Sequence, residues 1–348
     1  MKISVYTIAK NEEQFVKRWY ESCKDADHIF ILDTGSTDNT VEIAKELGID
    51  VETQIVFPWR FDIARNVALS YVPDDIDYCI ALDMDEVLVD GWRNELEKVH
   101  PSITRPRYEY TWSWKDNGSA GLVYGGDKIH ARKNYVWKHP VHEVLISLEE
   151  ETQQWCGVKI HHFPDNTKSR GQYFPLLELA VKEDPEDDRN CYYLAREYFF
   201  NGMYEKAKNQ FEKHLSLEKA VWKPERSSSM RYLAKCDKDN KYYWILRAVA
   251  ECPERREPWV DLATYYYEKN NWESCLSASL NALAIKEKPL EYLCEEYAWG
   301  YIPYDLAALS FYKLGLHSQA VDYGNLAIQL SPHDERLKNN LRWYNEQR

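Results

Sequence analysis

Four short apolar runs occupy the first 83 residues, at Ile3–Ile8, His28–Asp33, Val51–Phe57 and Tyr78–Asp83, with helix-forming segments between them. Asn11–Cys23 and Asp62–Tyr71 have helical spacing. A third helix is expected after Asn39, capped by Asn39 with Glu42 three positions on, and stopped by Gly48. Successive parallel strands need a crossover of helical length, so this alternation predicts a doubly wound, largely parallel sheet. Ligands of such sheets collect beyond the carboxyl ends of the strands. Asp33 and Asp83 both fall there.

The pattern then changes twice. From Thr104 to Phe163, aromatic residues alternate with polar ones (Tyr108, Tyr110, Trp112, Trp114), then come Lys128–Ala131 and Val158–His162. This stretch is expected to form an antiparallel extension of the first domain. From Asp187 strand patterning stops and a helical repeat begins. Leu194-Ala195, with Tyr198, Gly202, Tyr204, Ala207 and Phe211, matches the helix-turn-helix positions of a tetratricopeptide repeat. The pair returns as Leu262-Ala263, at twice the ~34-residue period, beside Trp259, Tyr266, Trp272 and Ala282. A poorer unit keeps Tyr232, Ala248 and Pro253. A last one carries Ala307-Ala308, Phe311, Gly315, Ala320, Ala327 and Pro332, after an insertion near 289–300. Residues 334–348 are expected to cap the array. Each unit buries its apolar face only against its neighbours, which makes the array a solenoid.

A chain of 348 residues accommodates both parts, and we place the boundary between 172 and 173. The formal charge of −13 gives no basic face for bulk nucleic-acid binding. The eight cysteines form no CxxC pair and fit a reducing cytoplasm as small buried thiols. Met1-Lys2-Ile3-Ser4-Val5-Tyr6 enters a strand too soon for a signal-peptide core, and no membrane span is expected. Most of the 13 Trp and 26 Tyr sit at helical spacing in the second half, where they pack helices.

Candidate chemistry concentrates in four segments. Asp83-Met84-Asp85 follows an apolar strand, and period-two alternation would put both carboxylates on one face, as oxygen ligands for Mn²⁺ or Mg²⁺. Asp33-Thr34-Gly35-Ser36-Thr37-Asp38 reads either as a capped turn or as a contact for a base or ribose. Arg65, in Asp62-Ile63-Ala64-Arg65-Asn66, would face a phosphate or the acidic pair. His139-Pro140-Val141-His142-Glu143 and His161-His162-Phe163 supply imidazoles, which read either as satisfied core or surface residues or, beside the carboxylate pair, as one that would complete a metal shell.

Together with Ser4-Val5-Tyr6-Thr7-Ile8-Ala9-Lys10-Asn11-Glu12-Glu13 and Phe61–Asn66, these segments resemble family 2-type glycosyltransferases of the α/β GT-A fold, a Rossmann-like mixed sheet. The closest likeness is to the branch in which tetratricopeptide repeats follow that domain, the layout of SunS-type peptide glycosyltransferases. The resemblance implies that Ala9, Asn11 and Glu12 border the nucleotide, with Asp33 at the base, Asp83 at the ribose and Met84 also beside the donor. It implies Asp85 as metal ligand, His162 or His161 as a second ligand, and Lys168 and Arg170 over the diphosphate. His142 and Glu143 match the family's His-Glu segment.

The reaction so implied is an inverting transfer from a nucleotide-sugar, with a UDP-sugar favoured and Glu143 ahead of His142 as base. The processive-polysaccharide signature Gln-x-x-Arg-Trp is absent. The expected acceptor is a protein, peptide or glycan, and the repeats would dock it or pair two chains as a homodimer. A different reading is a tetratricopeptide scaffold whose first domain binds a nucleotide without catalysis. A sugar-phosphate nucleotidyltransferase would need a glycine-rich phosphate loop after the first strand, and Ile8-Ala9-Lys10-Asn11-Glu12 is not one.

Overall fold

The computed structural model describes residues 1–165, 171 and 173–346, and the chain divides into two compact units, Met1–Glu183 and Asp184–Arg348. In the first, β1 (Ile3–Ala9), α1 (Glu13–Cys23), β2 (His28–Asp33), α2 (Thr40–Glu46), β3 (Asp50–Thr53), α3 (Phe61–Ser70) and β4 (Tyr78–Ala81) follow the expected alternation. After them come β5 (Glu86–Leu88), α4 (Trp92–Leu96), β6 (Arg105–Thr111), β7 (Val123–Gly126), β8 (Ile129–Ala131), β9 (Tyr135–Lys138), β10 (Val144–Ser147), β11 (Gln153–His162) and α5 (Tyr173–Glu183).

The main sheet has the order β3-β2-β1-β4-β8, in which the first four strands are parallel and β8 runs antiparallel to β4. Successive side chains feed opposite faces. Ile3, Val5, Ile31, Ile80 and Leu82 pack with Trp19 of α1 on one side. Tyr6, Phe30, Leu32, Cys79 and Ala81 pack with Ala68 of α3 and with Trp137 on the other. A sheet covered on both faces explains why its strands read as continuous apolar runs.

Three local expectations are corrected. The strand expected to reach Phe57 stops at Thr53, because its neighbour β2 ends opposite it at Asp33 and turns away. Ile55 and Phe57 lie beyond the last pairing and are 74% and 93% exposed. Asn39 holds the N-cap position of α2, but its side chain makes no capping bond and Asp38 meets the first helical N–H instead. Asp38 Oδ1 accepts from the Thr40 N–H at 3.0 Å, whereas the Asn39 side chain donates to Glu13. Finally, the second sheet, of order β5-β11-β6-β7, is not wholly antiparallel, since β11 runs parallel to β6. The chain between them, through β7 to β10, is long enough for a crossover.

The division between the units falls after α5, beyond the boundary expected at 172/173. Tyr173 meets Phe61 edge-on with ring centroids 5.7 Å apart, and Glu183 accepts from Arg60 at 2.6 Å, so α5 is tied to the start of α3.

The second unit is helical: α6 (Asp188–Phe200), α7 (Tyr204–Ser216), α8 (Lys223–Cys236), α9 (Lys241–Glu251), α10 (Arg256–Glu268), α11 (Trp272–Ala284), α12 (Glu296–Trp299), α13 (Ile302–Lys313), α14 (His317–Leu330) and α15 (Glu335–Glu346). Helices α6–α7, α8–α9, α10–α11 and α13–α14 pack as pairs, the short α12 lies in the insertion, and α15 closes the array on α14. The small residues of the repeat pattern are the buried contacts: Ala195, Ala207, Ala263, Ala282, Ala307 and Ala320. Their size lets neighbouring helices approach closely. Gly202 turns between α6 and α7 at φ +72°, a conformation open to glycine without a Cβ clash.

The cap assignment is testable. Burial pushes the Asp38 carboxyl up, but bonds from Thr40 and Glu13 outweigh this and hold it below its ordinary 3.8. Its stabilisation is therefore complete above that value and is lost as pH falls through the lowered one. Asp38→Ala is expected to cost about 1 kcal/mol at neutral pH, and more than Asn39→Ala. Urea unfolding of both variants checks this, and the reverse ranking refutes it.

Candidate active site

The carboxyl ends of β1 and β2 are knitted into one frame. The Ala9 carbonyl accepts from the Thr34 N–H at 2.8 Å. Asn11 takes φ +56°, which asparagine tolerates better than most residues. There its side-chain oxygen accepts from the Thr37 N–H at 2.7 Å, and its own N–H donates to Ser36 Oγ at 2.9 Å. The Glu12 N–H donates to Thr40 Oγ1 at 2.7 Å. Asp33 is buried and accepts from the N–H groups of Gly35 (3.2 Å) and Ser36 (3.1 Å). Ala9, Asn11, Glu12 and Asp33 thus lie in one place, and the Asp33 carboxylate shapes the turn that holds them.

Beside this frame stands an ionic network built on the buried Arg65 and Glu86. Arg65, in the middle of α3, donates from Nε to Glu143 Oε1 at 2.5 Å and from Nη2 to Asp83 Oδ1 at 2.6 Å. Its guanidinium lies over the Trp137 ring, 4.9 Å from the centroid. Asn66 holds that tryptophan's backbone in place, donating to its carbonyl and accepting from its N–H. Lys128 Nζ donates to Asp83 Oδ2 at 2.6 Å and to Glu86 Oε1 at 3.2 Å, and the Tyr110 hydroxyl also donates to Glu86 Oε1. Burial by itself would raise the Asp83 carboxyl, but the Arg65 and Lys128 charges outweigh it and hold Asp83 well below the usual carboxylate range. Glu86 is shifted upward, chiefly by burial. Burial disfavours the Lys128 ammonium, yet Asp83 and Glu86 overcome that and keep it charged.

Asp83-Met84-Asp85-Glu86 is a turn and not the extended chain expected from the sequence. The Glu86 N–H donates to the Asp83 carbonyl at 2.9 Å, closing the turn. Met84, between them, is 2% exposed and packs into the core. Asp85 Oδ2 stands 3.2 Å from His162 Nε2. His162 Nδ1 faces the Trp112 carbonyl at 2.9 Å, and since a carbonyl only accepts, Nδ1 carries a proton. The ring also stacks on Trp112 at 4.4 Å. Burial lowers the proton affinity of His162, but the Asp85 hydrogen bond outweighs it, and the group is shifted upward. His161, the alternative, instead meets Trp114 edge-on at 4.8 Å.

A fixed Nδ1–H leaves Nε2 as the atom available to a cation, in the manner of metal-binding histidines oriented by a backbone carbonyl. Two donors about 2.1 Å from an octahedral ion lie about 3 Å apart, so the Asp85–His162 spacing fits a shared divalent cation. His142 sits at φ +49° with its ring edge-on to Tyr173, 6.0 Å between centroids. Lys168 and Arg170 lie outside the described residues.

Sequence reasoning missed Lys128, Glu86 and Tyr110 as members of this cluster. Lys128 precedes a three-residue strand and carries no local signal. Only the β4–β8 pairing, extended by the bond from the Ala81 N–H to the Lys128 carbonyl, brings it to Asp83. Tyr110 could have been singled out as an inward position of an alternating strand, but not its carboxylate partner.

Residues 4–166 match the model of glycosyl transferase family 2. The N-terminal unit carries a glycosyl transferase family 2 domain. Over 109 residues the chain is 37% identical to an uncharacterized glycosyltransferase of Rickettsia typhi, covering 31% of this chain and 36% of that protein. A homologous uncharacterized glycosyltransferase of Rickettsia bellii is 33% identical over 108 residues, 31% of this chain and 35% of its own. The chain thus spans about a third of the length of these curated relatives. A tetratricopeptide repeat-containing protein of Synechococcus elongatus is 26% identical over 212 residues, 55% of this chain and 50% of its own. Among solved structures, S. aureus TarS residues 1–349 in complex with UDP-GlcNAc aligns over 81% of this chain and 90% of its own, with 12% identity and a TM-score of 0.38. MamA aligns over 47% of this chain and 89% of its own, with 16% identity and a TM-score of 0.36. No helix among the described residues is long and apolar enough to cross a membrane.

The coupling inside the network gives a second test. Removing Lys128 leaves buried Glu86 without its cation, so Lys128→Met is expected to destabilise by roughly 2 kcal/mol. Combined with Glu86→Gln it should cost less than the sum of the two singles, by about 1 kcal/mol or more. Additive unfolding free energies in this double-mutant cycle would show that the pair is not coupled.

Proposed function

We propose that this protein is a glycosyltransferase that moves a sugar from a nucleotide-sugar, with a UDP-sugar the first donor to test, to a protein, peptide or glycan acceptor. The observation that carries this reading is the Asp85–His162 pair, set beside the Arg65–Asp83–Lys128 network at the carboxyl ends of the strands. The nucleoside is assigned to the frame of Ala9, Asn11, Glu12 and Asp33, with Asp83 at the ribose. Asp85 and His162 are assigned to a divalent cation, Mn²⁺ or Mg²⁺, which would neutralise charge on the donor diphosphate. Arg65 Nη1 is buried without a hydrogen-bond partner among the described residues, so its positive charge is only partly spent on Asp83 and Glu143. Lys168 and Arg170 are assigned to the diphosphate by the family resemblance alone.

In the proposed reaction the acceptor's nucleophilic atom bonds to the anomeric carbon as the bond from that carbon to the diphosphate oxygen breaks. Inversion then follows from attack on the face opposite the leaving group. The nucleoside diphosphate departs with the bonding electron pair, and a base takes the acceptor proton. Glu143 and His142 are the two groups proposed for that step. Glu143 accepts from Arg65, so it also positions the guanidinium.

Purified full-length protein, incubated with a panel of nucleotide-sugars and candidate acceptors, should give a mass-tagged product. Chelation is expected to abolish transfer, and added Mn²⁺ or Mg²⁺ to restore it. Asp85→Asn and His162→Ala are each expected to lower turnover by at least about 100-fold with the fold retained. Full turnover of Asp85→Asn in the presence of chelator would sink the metal assignment. Donor binding without hydrolysis or transfer would support the scaffold reading instead.

The base is decided separately. Glu143→Gln keeps an oxygen for Arg65 Nε but cannot take the proton. If Glu143 is the base, kcat is expected to drop by about 100-fold or more with donor KM little changed. Unchanged kcat in Glu143→Gln, with that loss appearing in His142→Ala, would move the role to His142.

A further inference from the structure

The helical unit has a side-chain cluster that the chemistry above does not use. Asp188 in the first turn of α6, His214 in the last turn of α7 and Glu225 in the first turn of α8 each bring one ligand atom within 4.8 Å of the others. His214 is 0% exposed. Its Nδ1 lies 2.9 Å from Ser229 Oγ. Its Nε2 lies 3.3 Å from Glu225 Oε1, yet the two do not meet hydrogen-bond geometry, and Nε2 has no hydrogen-bond partner. A buried ring nitrogen left this way is costly and calls for an explanation.

The outer atoms of the cluster are oriented. Glu225 Oε2 accepts from the Tyr292 hydroxyl at 2.5 Å, just as Ser229 holds the far side of the imidazole. The near atoms, Nε2 and Oε1, are 3.3 Å apart without forming a hydrogen bond. A protonated imidazole bridging two carboxylates would aim its N–H at an oxygen, and this one does not. Ligands about 2.0–2.2 Å from one ion stand roughly 3–4 Å apart, so closing this cluster needs shifts of under about 1 Å. Two carboxylates and one neutral imidazole also cancel the charge of a dication, which matters where two of the three groups are buried.

We propose that Asp188, His214 and Glu225 form a structural divalent-cation site that ties α6, α7 and α8 together. The imidazole selects a transition ion of the Zn²⁺ class over Mg²⁺ or Ca²⁺. This proposal is independent of the reaction assigned to the N-terminal unit.

The test uses the full chain carrying Asp85→Asn, which removes the carboxylate proposed for the other cation, stripped with chelator and titrated with Co²⁺. One Co²⁺ per chain is expected, with visible d–d absorption and a raised unfolding temperature. Asp188→Asn, at a partly exposed position, should still fold and should weaken Co²⁺ binding at least tenfold. His214→Gln should abolish it. If His214→Gln fails to fold, Asp188→Asn decides. Failure to bind Co²⁺, or equal affinity with and without Asp188→Asn, overturns the proposal.

Discussion

A guanidinium under a protein surface must be met by carboxylates, because an unpaired buried charge costs several kcal/mol. Arg65 is in that position, and its two partners come from distant parts of the chain, Asp83 after β4 and Glu143 before β10. Trp137 lies against the face of the guanidinium, and Asn66, the next residue on α3, holds Trp137 through two backbone hydrogen bonds. One turn of α3 therefore registers the β4 turn, the β9–β10 ribbon and the His142-Glu143 segment against each other. The placement of Asp83 and Glu143, both proposed for the transfer site, depends on that registration.

The network also separates two acidic residues that look equivalent in the chain. Asp83 is claimed by Arg65 and Lys128, and their charges keep it ionised despite its burial. Asp85, on the other side of a tight turn, faces only His162 in the contacts described above. One carboxylate is held between two protein cations and the other is paired with a histidine, which is why Asp85 is the one proposed to hold a cation. Deeper in the sheet, the Trp137 indole N–H donates to Tyr6 Oη, which lies 3.1 Å from His130 Nε2. His130 Nδ1 faces the Ala131 carbonyl, and burial pushes this histidine down to about 3. That chain of neutral groups satisfies the polar atoms beneath the network without adding charge.

The two halves of the chain meet the burial requirement differently. In the sheet unit, long apolar runs are covered on both faces, and the few polar groups buried within strands, such as His130, are hydrogen-bonded. In the repeat unit, alanines set the helix spacing and aromatic residues fill the rest, as with Phe211 stacked on Tyr232 at 5.1 Å. This is why a composition rich in tyrosine and tryptophan is mostly structural here.

The sequence alone determined the order of elements, the change from sheet to repeats and the strand ends where Asp33 and Asp83 stand. These follow from local periodicity, which each segment carries by itself. Tertiary structure decided which groups meet. The turn at Asp83–Glu86 depends on a backbone bond, the arrival of Lys128 depends on β8 pairing with β4, and the contact of Asp85 with His162 rather than His161 depends on which face of β11 meets it. The parallel pairing of β11 with β6 and the early end of β3 are of the same kind, because a strand's direction and length are set by its partner. Asp83-Met84-Asp85 was legible as a candidate site. Its division of labour was not, because Lys128 and His162 lie 45 and 77 residues away in the chain from the carboxylates they meet.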